Sequence, residues 1–224
     1  VSIDKEIYMK KYDVILFDLD GTLTDPEEGI TKSVQYALSK FGIDVSDRTL
    51  LYPFIGPPLK DAFMELYNFS EADAMMAIKY YRERYEVKGL FENIPYEGID
   101  RLLESLVNKG KKLIVATSKP EKFAVEIMKH FDLAKYFTYI AGAAMDESRN
   151  TKSAVIEYAL QTCGITDTSS VLMVGDRKYD VIGARQMSMD CAGVLYGYGT
   201  EEEMREAAPA YICATIDELD KLIV

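Results

Sequence analysis

Apolar positions along the chain fall into two alternating patterns. Short, nearly unbroken apolar runs recur at Asp13-Val-Ile-Leu-Phe-Asp18, Lys112-Leu-Ile-Val-Ala-Thr117, Tyr136-Phe-Thr-Tyr-Ile-Ala141, Ser170-Val-Leu-Met-Val-Gly175, Cys191-Ala-Gly-Val-Leu195 and Ala210-Tyr-Ile-Cys213. Their β-branched character and their turn or acidic borders predict strands buried on both faces. Between them apolar residues recur at helical spacing. Ile99, Leu102, Leu103, Leu106 and Val107 form one stripe, stopped by Gly110. Phe123, Ala124, Ile127, Met128 and Phe131 form a second after Pro120, and Val155, Ile156, Ala159, Leu160 and Cys163 a third before Gly164. Strand and helix in alternation predict an α/β fold with a doubly wound, Rossmann-like parallel sheet.

One stretch breaks the alternation. From Pro26 to Asn93 no strand pattern is found, whereas Ile30, Val34, Ala37, Leu38 and Phe41 mark a helix before Gly42. Leu59 to Tyr67 and Glu71 to Val87 read as further helices. The pattern therefore predicts an α/β core domain of residues 1–24 and 96–224, with an all-helical cap domain of residues 25–95 inserted between the first two strands.

Composition narrows the class. With 224 residues and 48% hydrophobic content, the chain can bury a core without disulfides or structural metals. The three cysteines, Cys163, Cys191 and Cys213, form no C-x-x-C pair and suit a reducing compartment. A net charge of −11 opposes nucleic-acid binding. No apolar run reaches the length of a membrane span, and the polar stretch up to Asp13 lacks a signal-peptide pattern. These features give a cytoplasmic protein with no nucleic-acid or membrane partner. The residues before Lys11 read as a loose arm.

Ligands of open α/β sheets bind beyond the carboxyl ends of the strands. Those ends carry Asp18-Leu-Asp20-Gly-Thr22, Thr117-Ser118-Lys119 and Gly175-Asp176-Arg177, with Asp180 one turn on and Lys152 opening the helix after the third strand. Each residue taken singly is an ordinary cap or turn former. Together they imply one site, because two carboxylates about 4 Å apart repel by about 4 kcal/mol at an effective dielectric near 20. A cation relieves that cost, and an all-oxygen donor set favours a hard ion such as Mg²⁺. Lys152, Thr117 and Ser118 opposite the ion suit a phosphoryl group, with helix N-terminal donors after Thr117.

The stretch Asp18-Leu-Asp-Gly-Thr-Leu-Thr24, with Thr117, Lys152 and Gly175-Asp-Arg-Lys-Tyr-Asp180, resembles the haloacid dehalogenase-like phosphohydrolases, and the cap resembles that of their phosphoglycolate-phosphatase and β-phosphoglucomutase branch. The resemblance covers nearly the whole chain from Lys11. It implies that Asp18 is the nucleophile forming an aspartyl-phosphate, and that Asp20 protonates the leaving oxygen and then activates water. It implies that Thr117 binds phosphoryl oxygens with Ser118 beside it, and that Lys152 offsets the charge. Mg²⁺ is then held by Asp18, Asp176 and the backbone carbonyl of Asp20, with Asp180 on the metal side.

Asp20 argues against a dehalogenase, since a halide needs no acid. In the mutase branch a histidine stands about twelve residues after the nucleophile; here that residue is Ile30, and the single histidine, His130, reads as a helix-end or surface residue. Water is therefore the expected acceptor. The expected function is a Mg²⁺-dependent phosphomonoesterase acting on phosphoglycolate, a nucleoside monophosphate or a sugar phosphate, as monomer or homodimer. A β-phosphoglucomutase-like phosphomutase and a non-catalytic phosphate-sensing module are the alternatives. Candidate cap contacts are Gly56-Pro-Pro-Leu-Lys60, with Lys60 as a substrate-binding residue, and the positions of Glu28 and Lys32. The run Tyr80-Tyr-Arg-Glu-Arg-Tyr85 reads as a packed helix with a solvated charged face, and Met75 and Met76 as core filler.

Overall fold

The computed structural model describes residues 11–146 and 148–223, so the arm before Lys11 lies outside the described residues. Strand β1 (Val14–Phe17) is followed by two short strands, β2 (Thr24–Asp25) and β3 (Ile94–Pro95), which pair antiparallel with each other. The remaining strands are β4 (Lys112–Pro120), β5 (Tyr139–Ala143), β6 (Val171–Gly175), β7 (Asp190–Val194) and β8 (Tyr211–Cys213). Together with β1 they form a six-stranded sheet in the order β5-β4-β1-β6-β7-β8, with every pair parallel. Consecutive strands depart from β1 in both directions, as the doubly wound reading expects.

The period-two alternation of a strand divides the apolar residues between two layers. Ile15 and Phe17 of β1 join the cluster on one face, with α4 (Ile99–Asn108), α5 (Glu121–His130) and α9 (Ile216–Ile223). Leu16 joins the other, with α6 (Lys152–Thr162), α7 (Lys178–Gln186) and Met204 of α8 (Glu201–Ala207). Helix α4 ends where Gly110 takes a positive φ of 77°, a conformation that glycine adopts without penalty. Val107, at the edge of its stripe, stays exposed.

Between β2 and β3 lie α1 (Glu27–Ser39), a 3₁₀ turn over Arg48–Phe54, α2 (Leu59–Tyr67) and α3 (Glu71–Arg84), which runs into a π-helical turn at Tyr85–Gly89. No strand lies within this segment; its regular elements are all helical. Helix α3 buries Ala74, Ala77, Ile78 and Tyr81 at i, i+3, i+4 and i+7, which turns Met75 and Met76 outward. Both methionines are exposed, so they are not core filler.

Two strand boundaries differ from the sequence pattern. The third apolar run enters the sheet only at Tyr139, because Ala134–Tyr136 forms a 3₁₀ turn and Phe137 packs edge-on against Phe17. Strand β4 runs on past Thr117 to Pro120 with a register shift after Ala116, so Thr117 and Ser118 sit on the strand's own end, ahead of the first turn of α5. Among the described residues no helix is long and apolar enough to cross a membrane.

Candidate active site

The register that pairs Phe17 with both Val115 and Val174 brings the ends of β1, β4 and β6 to one edge. Asp18, Thr117 and Asp176 follow there within two residues of one another in register, and all three are buried. Asp18 Oδ1 accepts the Leu19 N–H at 2.7 Å. Its Oδ2 lies 2.9 Å from Lys152 Nζ, which also lies 2.8 Å from Asp180 Oδ1 and donates to the Ala116 carbonyl at 3.2 Å. Burial by itself would lower the Lys152 pKa; Asp18 and Asp180 outweigh it and hold the ammonium above the usual lysine range.

Asp176 and Asp180 reach the same place because glycines leave room. A Cβ on Gly21 would lie 2.1 Å from Asp176 Oδ2, and one on Gly175 would lie 2.1 Å from Asp180 Cγ. Asp176 Oδ2 accepts the Tyr198 N–H at 2.7 Å, and Asp180 Oδ2 accepts the Arg177 N–H at 3.1 Å. Carboxylate oxygens of Asp18, Asp176 and Asp180 all lie within 4.8 Å of one another. Burial first, then Asp180 and Asp18, push Asp176 well above the ordinary carboxylate range. Burial likewise raises Asp180, against the pull of Lys152. Three crowded oxygen donors, with no nitrogen or sulfur ligand among them, fit a hard divalent cation.

Asp20 is placed differently. Both of its carboxylate oxygens lie 2.6 Å from Lys119 Nζ, so its side chain stands outside the acidic triad. The resemblance implies a metal role for its backbone carbonyl only. Burial raises its pKa and Lys119 opposes that. Thr117 accepts the Lys119 N–H at 3.2 Å.

A cavity of about 290 Å³ opens between this edge and the helical segment, with Asp18, Asp20, Thr117, Ser118 and Lys119 on its floor side. Pro57, Pro58 and Lys60 line it from the helical side, and the Lys60 ammonium pairs with Glu71. Pro58 also caps α2, so its helix-start and cavity roles coincide. Glu28 and Lys32 do not line the cavity; they pair with each other at i, i+4 on the outer side of α1. Ile30 lines the cavity, and His130 is exposed at the end of α5 against Phe91.

Three contributors escaped the sequence reading. Lys119 was visible as the third residue of a strand end, but its pairing with Asp20 depends on β4 continuing, which buries Thr117 and Lys119 and leaves Ser118 between them half-buried. Tyr85 lines the cavity, stacked on Tyr81 with ring centroids 5.0 Å apart and meeting Phe123 edge-on at 5.9 Å. Burial, then the charge of Asp20, hold its phenol far above the usual tyrosine range. Arg177 donates from Nη1 to the Ile55 carbonyl of the helical segment, while Glu203 accepts from its Nε at 2.9 Å.

The family model for haloacid dehalogenase-like hydrolase matches residues 15–194. A 5′-nucleotidase of Pseudomonas aeruginosa is 47% identical over 213 residues, which cover 95% of this chain and 96% of that protein. The crystal structure of a predicted phosphatase from Clostridium acetobutylicum superposes with a TM-score of 0.92 at 51% identity, covering 95% of this chain and 98% of that one. Tyrosine-protein kinase PtkA of Mycobacterium tuberculosis is 37% identical over 92% of this chain and 70% of its own length.

Proposed function

The chain belongs to the haloacid dehalogenase-like hydrolases and is an enzyme of the phosphatase class, and from that premise we propose that it hydrolyses a small phosphomonoester, foremost a nucleoside monophosphate, through phosphorylation of Asp18. The observation that carries this reading is the buried cluster of Asp18, Asp176 and Asp180 with Lys152 held against two of them.

In this mechanism a carboxylate oxygen of Asp18 attacks phosphorus and the bond to the leaving oxygen breaks. Asp20 gives that oxygen its proton, then takes one from the water that attacks the phosphoryl group on Asp18. Cleavage of the Asp18–phosphorus bond releases inorganic phosphate and restores the carboxylate. Thr117 and Ser118 orient the phosphoryl oxygens, and Lys152 offsets their charge. Asp18, Asp176 and the Asp20 carbonyl, with Asp180, would hold Mg²⁺, which supplies positive charge beside the phosphoryl oxygens. Lys60 approaches the substrate from residues 25–95, which we read as a cap over a core of residues 1–24 and 96–224.

Two observations favour a nucleotide. The 47%-identical relative is a 5′-nucleotidase, and the far wall of the cavity is apolar and aromatic, with Phe54, Ile78, Tyr81, Tyr85 and Phe123. A base gains from burial against such a wall, whereas a hydroxyl-rich sugar loses hydrogen bonds to water there. Ile30 on the wall has no group to shuttle a proton, which favours water over a sugar hydroxyl as acceptor. We read the chain as a cytoplasmic monomer or homodimer.

The test is phosphate release across nucleoside monophosphates, phosphoglycolate and hexose phosphates, with Mg²⁺ and after chelation. The expected result is Mg²⁺-dependent release led by a nucleotide. Phosphate release undiminished by chelation would overturn the metal assignment, and isomerisation without hydrolysis would overturn the phosphatase mechanism.

A further inference from the structure

Tyr85 sits where α3 gives way to the π-helical turn Tyr85–Gly89. Such turns widen a helix locally and occur often at functional sites. Here the wider turn directs the ring into the space beside Tyr81 and Phe123. Gly89 makes the placement possible, since a Cβ there would lie 2.6 Å from Tyr85 Cδ2.

The ring is 2% exposed, yet its hydroxyl has no hydrogen-bond partner. A phenylalanine would fill the same space without that cost, because a buried hydroxyl left unpaired gives up its bonds to water. Of the buried side-chain atoms without a hydrogen-bond partner among the described residues, the Tyr85 hydroxyl is the one whose residue lines the cavity. The other such atoms belong to Thr24, Arg48, Asn93 and Asp180, which lie elsewhere, and that of Asp180 faces the Lys152 ammonium. Tyr85 also adjoins the chemical end of the cavity: the Lys119 ammonium that grips Asp20 lies 5.2 Å from its ring centroid.

We propose that the Tyr85 hydroxyl is the donor that selects the leaving group, bonding a ring nitrogen or carbonyl acceptor of a planar base held against the aromatic wall. The assignment rests on the reading of this cavity as the phosphomonoester site. It gives Tyr85 a role that is empty in the free protein and filled by substrate. A site built to bond a polar substrate atom discriminates more sharply than an apolar pocket against a ligand lacking that atom.

The experiment compares the full-length wild type with Tyr85→Phe, both supplied with Mg²⁺, on a nucleoside monophosphate and on ribose 5-phosphate, which lacks the base. The variant should melt no lower than wild type, since it loses an unpaired group. Its KM for the nucleotide should rise about fivefold to tenfold with kcat nearly unchanged, while ribose 5-phosphate kinetics stay as they were. An unchanged KM for the nucleotide, or equal losses on both substrates, overturns the assignment of Tyr85 alone. No phosphate from any ester with wild type overturns the functional reading itself. Should the variant fail to fold, wild type decides: a preference of about tenfold or more for the nucleotide over ribose 5-phosphate supports the proposal, and parity overturns it.

Discussion

At the sheet end of the cavity one ammonium, Lys152, meets Asp18, Asp180 and the Ala116 carbonyl, and a second, Lys119, takes both oxygens of Asp20. At the helical end the walls are mostly aromatic and aliphatic, with Lys60, Asp61 and Arg82 among them, and the Tyr85 hydroxyl has no hydrogen-bond partner. The sheet end holds its charges in opposition before any ligand arrives, which is how a site favours a transition state without reorganising. The helical end offers apolar area, a few charged side chains and the Tyr85 hydroxyl, which suits recognition of the part of a substrate that does not react. The difference teaches that, under the proposed function, reaction and choice of substrate rest on different chemistry on the two sides of one cavity.

The sharpest way to break this division is at its charged end. Asp18→Asn should cut phosphate release by on the order of 10³-fold or more, while nucleotide still binds; calorimetric titration of the variant measures the second half of that statement. Asp180→Asn should weaken divalent-ion affinity by about 10- to 100-fold, read from the Mg²⁺ concentration at half-maximal activity, with the substrate preference order intact. A reordered preference would mean that the two ends are not separable.

Lys119→Met leaves Asp20, whose side chain is 13% exposed, without its partner and should cost about 3 kcal/mol of stability at neutral pH, by denaturant melts. The sign with pH follows from Asp20, whose folded pKa burial already raises and which would rise further without Lys119. Above that folded pKa the charged carboxylate destabilises the variant; below it the protonated form does not. The deficit relative to wild type should therefore shrink as pH falls. The smallest effect is expected at Arg177, whose forked contacts to Ile55 and Glu203 a lysine cannot reproduce. Arg177→Lys should raise KM about threefold and speed proteolysis near residues 55–58, with kcat nearly unchanged.

The charged end was legible in the sequence because its residues stand at strand ends, and a parallel sheet gathers strand ends on one edge by construction. Asp18, Thr117 and Asp176 needed no further information, and Lys152 and Asp180 followed from the helices after β5 and β6. The helical end was less legible. The run around Tyr80 to Tyr85 packs through Tyr81 and Tyr85 as expected, though its charged face is solvated only at Glu83, since Arg82 lines the cavity and Arg84 pairs with Glu92. But a hydroxyl's lack of a partner is a property of the packed cavity, not of spacing. Likewise Glu28 and Lys32 have the polarity of cap contacts, and only the rotation of α1 shows that they face away. Met75 and Met76 fail for the same reason on α3, where small alanines rather than large methionines occupy the buried stripe.

The ribbon of Thr24–Asp25 with Ile94–Pro95 has a consequence for how such a protein can change. The chain leaves the sheet layer and returns to it through two adjacent strands, about 5 Å apart in their pairing direction. Whatever lies between those strands closes a loop whose ends are already joined, and loop-closure entropy grows only slowly with length. A longer, shorter or unrelated segment can therefore be spliced at these two points while the register of β1, β4 and β6 stays as it is. The same anchoring makes the helical segment an exchangeable part. A hybrid carrying another segment between Asp25 and Ile94 would keep the acidic edge and acquire a new far wall.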